Sequence, residues 1–320
     1  MPDDIDKRKK CMAMFLMLLM IGSVLYFGLE KVLDYVSPPP PENVSNQSIR
    51  NIKIGNSIYS MIIKKERSFK SILDALNLSP SDLAVGMYAS IEGIENTDLG
   101  SDLNYTYLQP FSSIYGAPLT IRYAVSSRTS MFELHNISKG IPDVAATGSY
   151  DYNGSLILEL PPLKSGGWQW WGIEISSSPM IFGPLSQQIA SPYIIGLDSL
   201  LDVFENKSNF TAYTVYKPLL DMADNAGKAK IAVVNYTGAT NWTGPYYAGI
   251  SPAGNNSYLL NSVMIILKEV NETELNNFKT NATKRGLTDY DINVTDVFLT
   301  LRVRGTLTEV IEEAKNWRLF

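Results

Sequence analysis

Fourteen asparagines in this chain stand two residues before a serine or threonine without an intervening proline: Asn43, Asn46, Asn77, Asn104, Asn136, Asn153, Asn206, Asn209, Asn235, Asn241, Asn255, Asn271, Asn281 and Asn293. In that context the side-chain amide is the acceptor for N-linked glycans, provided the chain is exported. The Asn, Ser and Thr contents would place roughly four such motifs by chance, so the excess is a property of the sequence in its own right. All fourteen follow residue 42, and none lies in the first part of the chain.

Redox and metal chemistry have little to work with. The single cysteine, Cys11, and the single histidine, His135, leave residues 37–320 without thiolates or a second imidazole. Disulfides, zinc–thiolate sites, iron–sulfur clusters, type 1 copper and a His-rich centre are therefore excluded from that region of one chain. A Ser-His-Asp triad would have to use His135, and Glu133-Leu134-His135-Asn136 resembles no nucleophile–base motif. His135 reads as a structural histidine. No glycine-rich loop has phosphate-binding spacing, and no cofactor is expected.

Three acidic or aromatic groups have a chemistry to weigh. Asp289, Asp291, Asn293 and Asp296 could offer oxygens to calcium, but an EF-hand needs a glycine and a closing glutamate at fixed offsets, so a solvated loop before a strand is expected. Glu309, Glu312 and Glu313 read as one helix face. Gly166-Gly-Trp-Gln-Trp-Trp-Gly172 places Trp168 and Trp170 on one face of a strand and Trp171 on the other. That pattern fits a sheet buried on both faces, or a platform for a sugar or partner, with Glu159 or Glu174 as the acids that glycoside cleavage would need. Asn241-Trp-Thr-Gly-Pro-Tyr-Tyr247 reads as an aromatic turn. Residues 154–205 contain no asparagine. Since a glycan cannot sit inside a tight interface, part of that interval is a candidate docking surface for a partner subunit or second copy.

These residues must be carried by some architecture, and its organising stretch is Cys11–Leu29, nineteen residues without a charge, preceded by Lys7, Arg8, Lys9 and Lys10. As a helix it reaches roughly 28 Å, close to the hydrocarbon thickness of a bilayer. A signal peptide has a shorter apolar run and a small-residue cleavage site; here Glu30–Val36 continues as helix. Because basic flanks stay cytoplasmic, residues beyond the span are expected outside the cell. The lipid bilayer is thus an expected partner through 11–29. No Gly-xxx-Gly pair marks a self-dimerising face, since Gly22 and Gly28 are six apart.

The net charge of −5 and the absence of an exterior basic stripe exclude nucleic acid as a partner. Many acceptor motifs without cysteines point to an archaeal cell surface. Ser37-Pro38-Pro39-Pro40-Pro41 breaks the anchor helix and favours a stiff polyproline spacer.

Beyond it the pattern is α+β. The expected organisation is a basic stub at 1–10, an anchor helix at 11–36, a spacer at 37–50, a β-rich domain at 51–190 with a β-α-β start over 52–92, and a second domain at 191–320. In the first, a β-branched-rich run is expected at Ile52–Lys64, broken by Gly55-Asn56, and strands at Leu83–Ile91, Leu119–Val125, Ser155–Leu160 and Trp168–Ser176. Ser68 is the expected cap of a helix at 68–77. In the second, helices are expected at 197–205, 216–225, 272–284 and 306–317, and strands at 193–196, 230–235, 262–269 and 294–304. That order matches a ferredoxin-like split βαβ unit with a C-terminal helix. The functional expectation is a non-catalytic, membrane-tethered surface glycoprotein, an accessory or structural subunit among other membrane or envelope proteins. The alternative is a surface enzyme or solute-binding module using the Trp168–Trp171 region.

Overall fold

In the computed structural model, the described residues are 48–127, 130–138, 141–161, 171–185, 196–205, 211–285, 287 and 289–320. The expected stub, anchor and most of the spacer lie outside them, as do Trp168, Trp170 and the strand expected at 193–195. Among the described residues no helix is long and apolar enough to cross a membrane.

The chain is mixed α+β and mostly strand. β1 (Ile49–Ile54) and β2 (Ser57–Ile62) form a separate hairpin across Gly55-Asn56, with Gly55 at φ 59°. The β-branched run expected over 52–64, broken by Gly55-Asn56, folds back there, and the two halves pair with each other. β3 (Lys65–Glu66) pairs in parallel with β10 (Ser177–Ser178). The remaining strands are β4 (Leu83–Ser90), β5 (Leu119–Ser127), β6 (Met131–Ile137), β7 (Gly148–Tyr152), β8 (Ser155–Glu159), β9 (Trp171–Glu174), β11 (Met180–Pro184), β12 (Ile231–Asn235), β13 (Thr243–Gly254), β14 (Ser257–Ile266), β15 (Asp289–Val294) and β16 (Phe298–Gly305). They join in one antiparallel sheet ordered β15-β16-β14-β13-β12-β4-β5-β6-β11-β9-β8-β7. The order β-α-β at 52–92 is present along the chain, but β1 and β4 belong to different sheets.

The sheet runs through the position expected to separate two domains, because β12 pairs with β4 (Val233 opposite Met87). These two central strands are buried on both sides. Ile231 and Val233 enter one apolar cluster, while Ala232 and Val234 enter the other. A short run that is apolar at every position suits a place with helices on both faces.

One face is covered by α1 (Ile72–Asn77), α4 (Leu197–Glu205) and α5 (Ala212–Met222). The other carries α2 (Asp98–Leu103), a π turn (Asn104–Leu108), α3 (Gln109–Tyr115), α6 (Glu272–Lys284), α7 (Leu307–Asn316) and the inner side of the β1–β2 hairpin. The cap of α1 is Ser71, whose hydroxyl accepts from Asp74 N at 3.3 Å, so Ser68 lies outside the helix.

The α2–α3 segment falls where β structure was expected. Its buried residues, Leu99, Leu103, Leu108, Phe111 and Tyr115, are spaced four, five, three and four apart. The five-residue step is accommodated by the π turn, which keeps one face toward the sheet where an unbroken α-helix would rotate it away. Thr97 caps the segment through Gly100 N at 3.1 Å, and Gly100 is required: a Cβ there would lie 1.9 Å from Ile94 O.

In the C-terminal part, the strand expected at 294–304 is β16, and the residues before it, where a loop was expected, form the further strand β15. β16 pairs antiparallel with both β14 and β15, so β14 and β15 run in the same direction with β16 between them. α6 makes the crossover. α7 follows with a complete capping box between Thr306 and Glu309.

Candidate functional site

A cluster of interior charge lies on the face covered by α3. β5 is LTIRYAVSS and β6 is MFELHNI; in this register Arg122 faces His135, and Glu133 follows two residues away on the same side. Arg122 Nε and Nη2 donate to Glu133 Oε2 and Oε1 at 2.6 and 2.7 Å, a two-pronged pair with side chains only 4% and 11% exposed. His135 Nε2 lies 2.8 Å from Glu133 Oε2, and Tyr115 OH lies 2.6 Å from His135 Nδ1. A carboxylate only accepts, so His135 carries its proton on Nε2 and its Nδ1 accepts from the Tyr115 hydroxyl. The Arg122 guanidinium stands 3.7 Å from the centre of the Phe111 ring and donates to Tyr107 O at 3.3 Å.

Each group responds electrostatically to this enclosure. Burial works against the charge of Glu133, but the Arg122 guanidinium and His135 N–H outweigh it and hold the carboxyl down to about 2. Burial pushes His135 below its ordinary value against the opposing pull of Glu133. Tyr115 is pushed well up by burial and by the Glu133 charge. The cluster is therefore an ionised Arg–Glu pair with a neutral imidazole and a neutral phenol. Its donors and acceptors are directed at one another, fixing the register of β5 and β6 and seating α3 on the sheet. His135 has a phenol and a carboxylate as hydrogen-bond partners and packs against the Phe182 and Phe111 rings.

A second buried carboxyl lies further along the sheet. Glu174, fully buried on β9, accepts from Ser176 N at 2.9 Å and from the Ser176 hydroxyl through Oε1. Its Oε2 meets no partner of ordinary hydrogen-bond geometry among the described residues. Burial pushes this carboxyl up, against the pull of Ser176, Ser177 and the Arg50 charge. Arg50 is itself engaged, donating to Ile175 O and Ser177 O at 2.5 and 2.8 Å.

The aromatic strand begins at Trp171, and β9 is shorter than the 168–176 expected. Trp171 is 8% exposed and stacks on Phe182, with ring centres 4.7 Å apart and planes at 13°. Phe182 in turn lies over His135. Trp171 thus belongs to the interior, where stacked rings contribute about 0.5–1.5 kcal/mol beyond their buried area. Glu174 lies on the other face of the sheet, level with Ile157 and Ile181, and is fully buried there, so it does not present an acid to a bound sugar. β9 and β11 lie inside the sheet between β6 and β8, and within the asparagine-free interval 154–205 their residues are buried.

The other singled-out acids also have structural neighbours. Glu313 is buried and accepts from Arg285, from Tyr290 OH at 2.9 Å and from Trp317 Nε1 at 2.9 Å. Glu309 closes the capping box. Asp289 and Asp291 lie on strand β15 rather than in a loop. Among the described residues no group of three His, Cys, Asp or Glu side chains is placed to hold a metal ion. In the stretch expected as an aromatic turn, β13 begins at Thr243; Trp242, Tyr246 and Tyr247 are buried, and Trp242 Nε1 donates to Glu274 at 2.7 Å.

Ten acceptor asparagines are among the described residues. Asn77, Asn104, Asn153, Asn241, Asn255, Asn271, Asn281 and Asn293 are exposed, and Asn136 and Asn235 are half-buried. Asn43, Asn46, Asn206 and Asn209 lie outside the described residues. Three of the ten also have a backbone reason to be asparagine. Asn153 and Asn255 sit in hairpin turns at φ 52° and 50°, a region asparagine tolerates. Asn271 caps α6 through Glu274 N at 3.1 Å.

Sequence reading did not single out Arg122, Glu133 or Tyr115. The signal that marks them is charge at inward positions of apolar strands: Arg122 inside LTIRYAV, and Glu133 with His135 at alternate positions of MFELHNI. Comparison with protein-family models, with curated proteins and with solved structures finds no match for this chain.

Proposed function

We propose that this chain is a single-pass, membrane-anchored and N-glycosylated surface protein, acting as a non-catalytic accessory or structural subunit of a membrane or cell-envelope complex. The bilayer engages residues 11–29, the N-terminus stays in the cytoplasm, and the folded part stands outside the cell. The observation that carries this reading is the placement of the acceptor asparagines. Eight of the ten described ones are exposed, the other two are half-exposed, and they are spread over helix ends, hairpin turns and an edge strand. That distribution supports a surface kept open to glycans. The sequence supplies the direction of insertion through Lys7–Lys10.

Within the exterior part, the proposed ferredoxin-like unit is the stretch from β13 to α7. The parallel run of β14 and β15, with β16 between them and α6 as crossover, supports it. β13 takes the place beside β14 that the last strand of that fold occupies.

The deciding experiment combines topology and modification. Protease added to intact cells is expected to remove residues beyond about 40 and spare an N-terminal epitope, since basic flanks stay inside. Glycopeptide mass spectrometry of the native protein is expected to find glycans on the exposed asparagines. An N-terminal epitope accessible from outside, or a native protein with unmodified asparagines throughout, would overturn the reading. Stoichiometric subunits co-purifying in mild detergent are the expected mark of the accessory role.

A further inference from the structure

The first described element after the spacer is the β1–β2 hairpin, and its two faces differ in an unusual way. The inner face, with Ile52, Ile54, Tyr59 and Met61, packs on the main body, Ile52 being completely buried. On the outer face, where a surface hairpin ordinarily turns polar residues to water, the register places three isoleucines, Ile49, Ile58 and Ile62, beside Lys53 and the hydrogen-bonded pair Asn51 and Ser60. Ile49 is 67% and Ile58 59% exposed.

Charge is segregated to the same segment. Residues 48–70 hold Arg50, Lys53, Lys64, Lys65, Arg67 and Lys70 against the single acid Glu66, whereas residues 71–320 hold sixteen Lys and Arg against twenty-five Asp and Glu. Several of these cations have protein partners, as Lys53 does with Asp143 at 2.6 Å. The segment 48–70 still carries five more basic than acidic side chains in an otherwise acidic chain.

The length of chain outside the described residues limits what the hairpin can reach. Between the anchor helix and Ser48 lie residues 37–47, eleven residues of which four are prolines. At about 3.1 Å per residue in polyproline geometry they span roughly 34 Å, and fully extended no more than about 40 Å. A basic surface with protruding aliphatic side chains, held that close to a bilayer, has the chemistry of an interfacial lipid contact.

We propose that the outer face of the β1–β2 hairpin rests on the lipid surface of the membrane that holds the anchor, with Ile49, Ile58 and Ile62 entering the interfacial layer. This contact fixes the orientation of the sheet relative to the membrane. The proposal rests on the reading of residues 11–29 as a membrane anchor.

The test uses the full chain in lipid vesicles containing anionic lipid. Cys11→Ser removes the only thiol, and Ser60→Cys then places a fluorescent label on the outer hairpin face. A second protein carries the label at Leu267→Cys, an exposed apolar position far along the sheet order. A lipid-tethered quencher is expected to quench the label at 60 several-fold more than the label at 267, and more strongly as anionic lipid increases. Adding Ile49→Ser and Ile58→Ser, both at exposed positions, is expected to remove most of that difference with an unchanged far-UV spectrum. Equal quenching at 60 and 267 in vesicles that retain the protein after an alkaline wash overturns the hairpin contact alone. Loss of the protein in that wash overturns the anchor reading and the contact together. Shielding at 60 that depends on protein concentration but not on lipid assigns the face to a second copy, and overturns the proposal too.

Discussion

Replacing Arg122 by methionine keeps much of the side-chain volume but removes the cation that Glu133 was buried against. Glu133 would be left in a site where its carboxylate is 11% exposed and its one remaining donor is His135 Nε2. Breaking a buried pair from one side costs about 3–5 kcal/mol, because an uncompensated charge remains. The depressed carboxyl gives a second figure, for the net effect of burial, Arg122 and His135 on Glu133. Glu133 is held at about 2 against an ordinary 4.5, which at about 1.36 kcal/mol per pH unit is roughly 3 kcal/mol.

The sign follows from the direction. A depressed carboxyl contributes stability that is present above 4.5 and is lost as pH falls through about 2. In Arg122→Met, burial acts with less opposition, so the Glu133 carboxyl is expected above 4.5 and its contribution reverses, falling as pH rises. The assay is the urea midpoint followed by tryptophan fluorescence, with the chain in nanodiscs, at pH 4 and pH 7 for both proteins. The expected result is a loss of about 3–5 kcal/mol at pH 7 and a smaller loss at pH 4, where the carboxyl can protonate. The double variant Arg122→Met/Glu133→Leu removes the stranded charge and is expected to regain about 2 kcal/mol or more. It will not reach the wild type, because His135 Nε2 then lacks an acceptor, at a cost of about 1–3 kcal/mol. A loss below about 1 kcal/mol for the single variant at pH 7, or an unchanged difference between pH 4 and 7, would refute the network as described.

Glu174→Gln should act in the opposite sense. A raised carboxyl contributes stability below 4.5 that is lost as pH rises through its folded value, so the amide variant is expected to gain on wild type at pH 8 relative to pH 5; a constant difference across those two urea series would contradict it. Glu313→Ala strands Arg285, Tyr290 OH and Trp317 Nε1, and is expected to cost about 3 kcal/mol and to expose the α7 amides in hydrogen exchange before the rest of the sheet. Thr306→Ala, which opens the capping box, should cost about 1 kcal/mol by urea midpoint. His135→Ala is expected to lower the midpoint while leaving subunit co-purification intact; loss of assembly in a folded variant would give His135 a role beyond packing.

Sequence alone was sufficient at several places where a local rule decides the outcome. The helix at Leu197–Glu205, the helix Glu272–Lys284 with Asn271 before it, and the capping box at Thr306–Glu309 all depend on neighbours within four residues. The Asn-x-Ser/Thr motifs are likewise local, and the surface positions of the described ones follow from the polarity of the turns and helix ends that hold them. The α2–α3 segment was illegible because a π turn alters the period by one residue, which masks the helical spacing of its apolar residues. Pairing across the chain was also beyond reach. That β12 lies beside β4 depends on both strands being apolar on each face and on helices arriving from distant segments to cover them. The buried Arg122–Glu133–His135–Tyr115 cluster is decided in the same way. Each residue is ordinary in its own strand or helix, and only the register of β5 against β6, with α3 laid across them, turns four separate polar groups into one desolvated, mutually satisfied network.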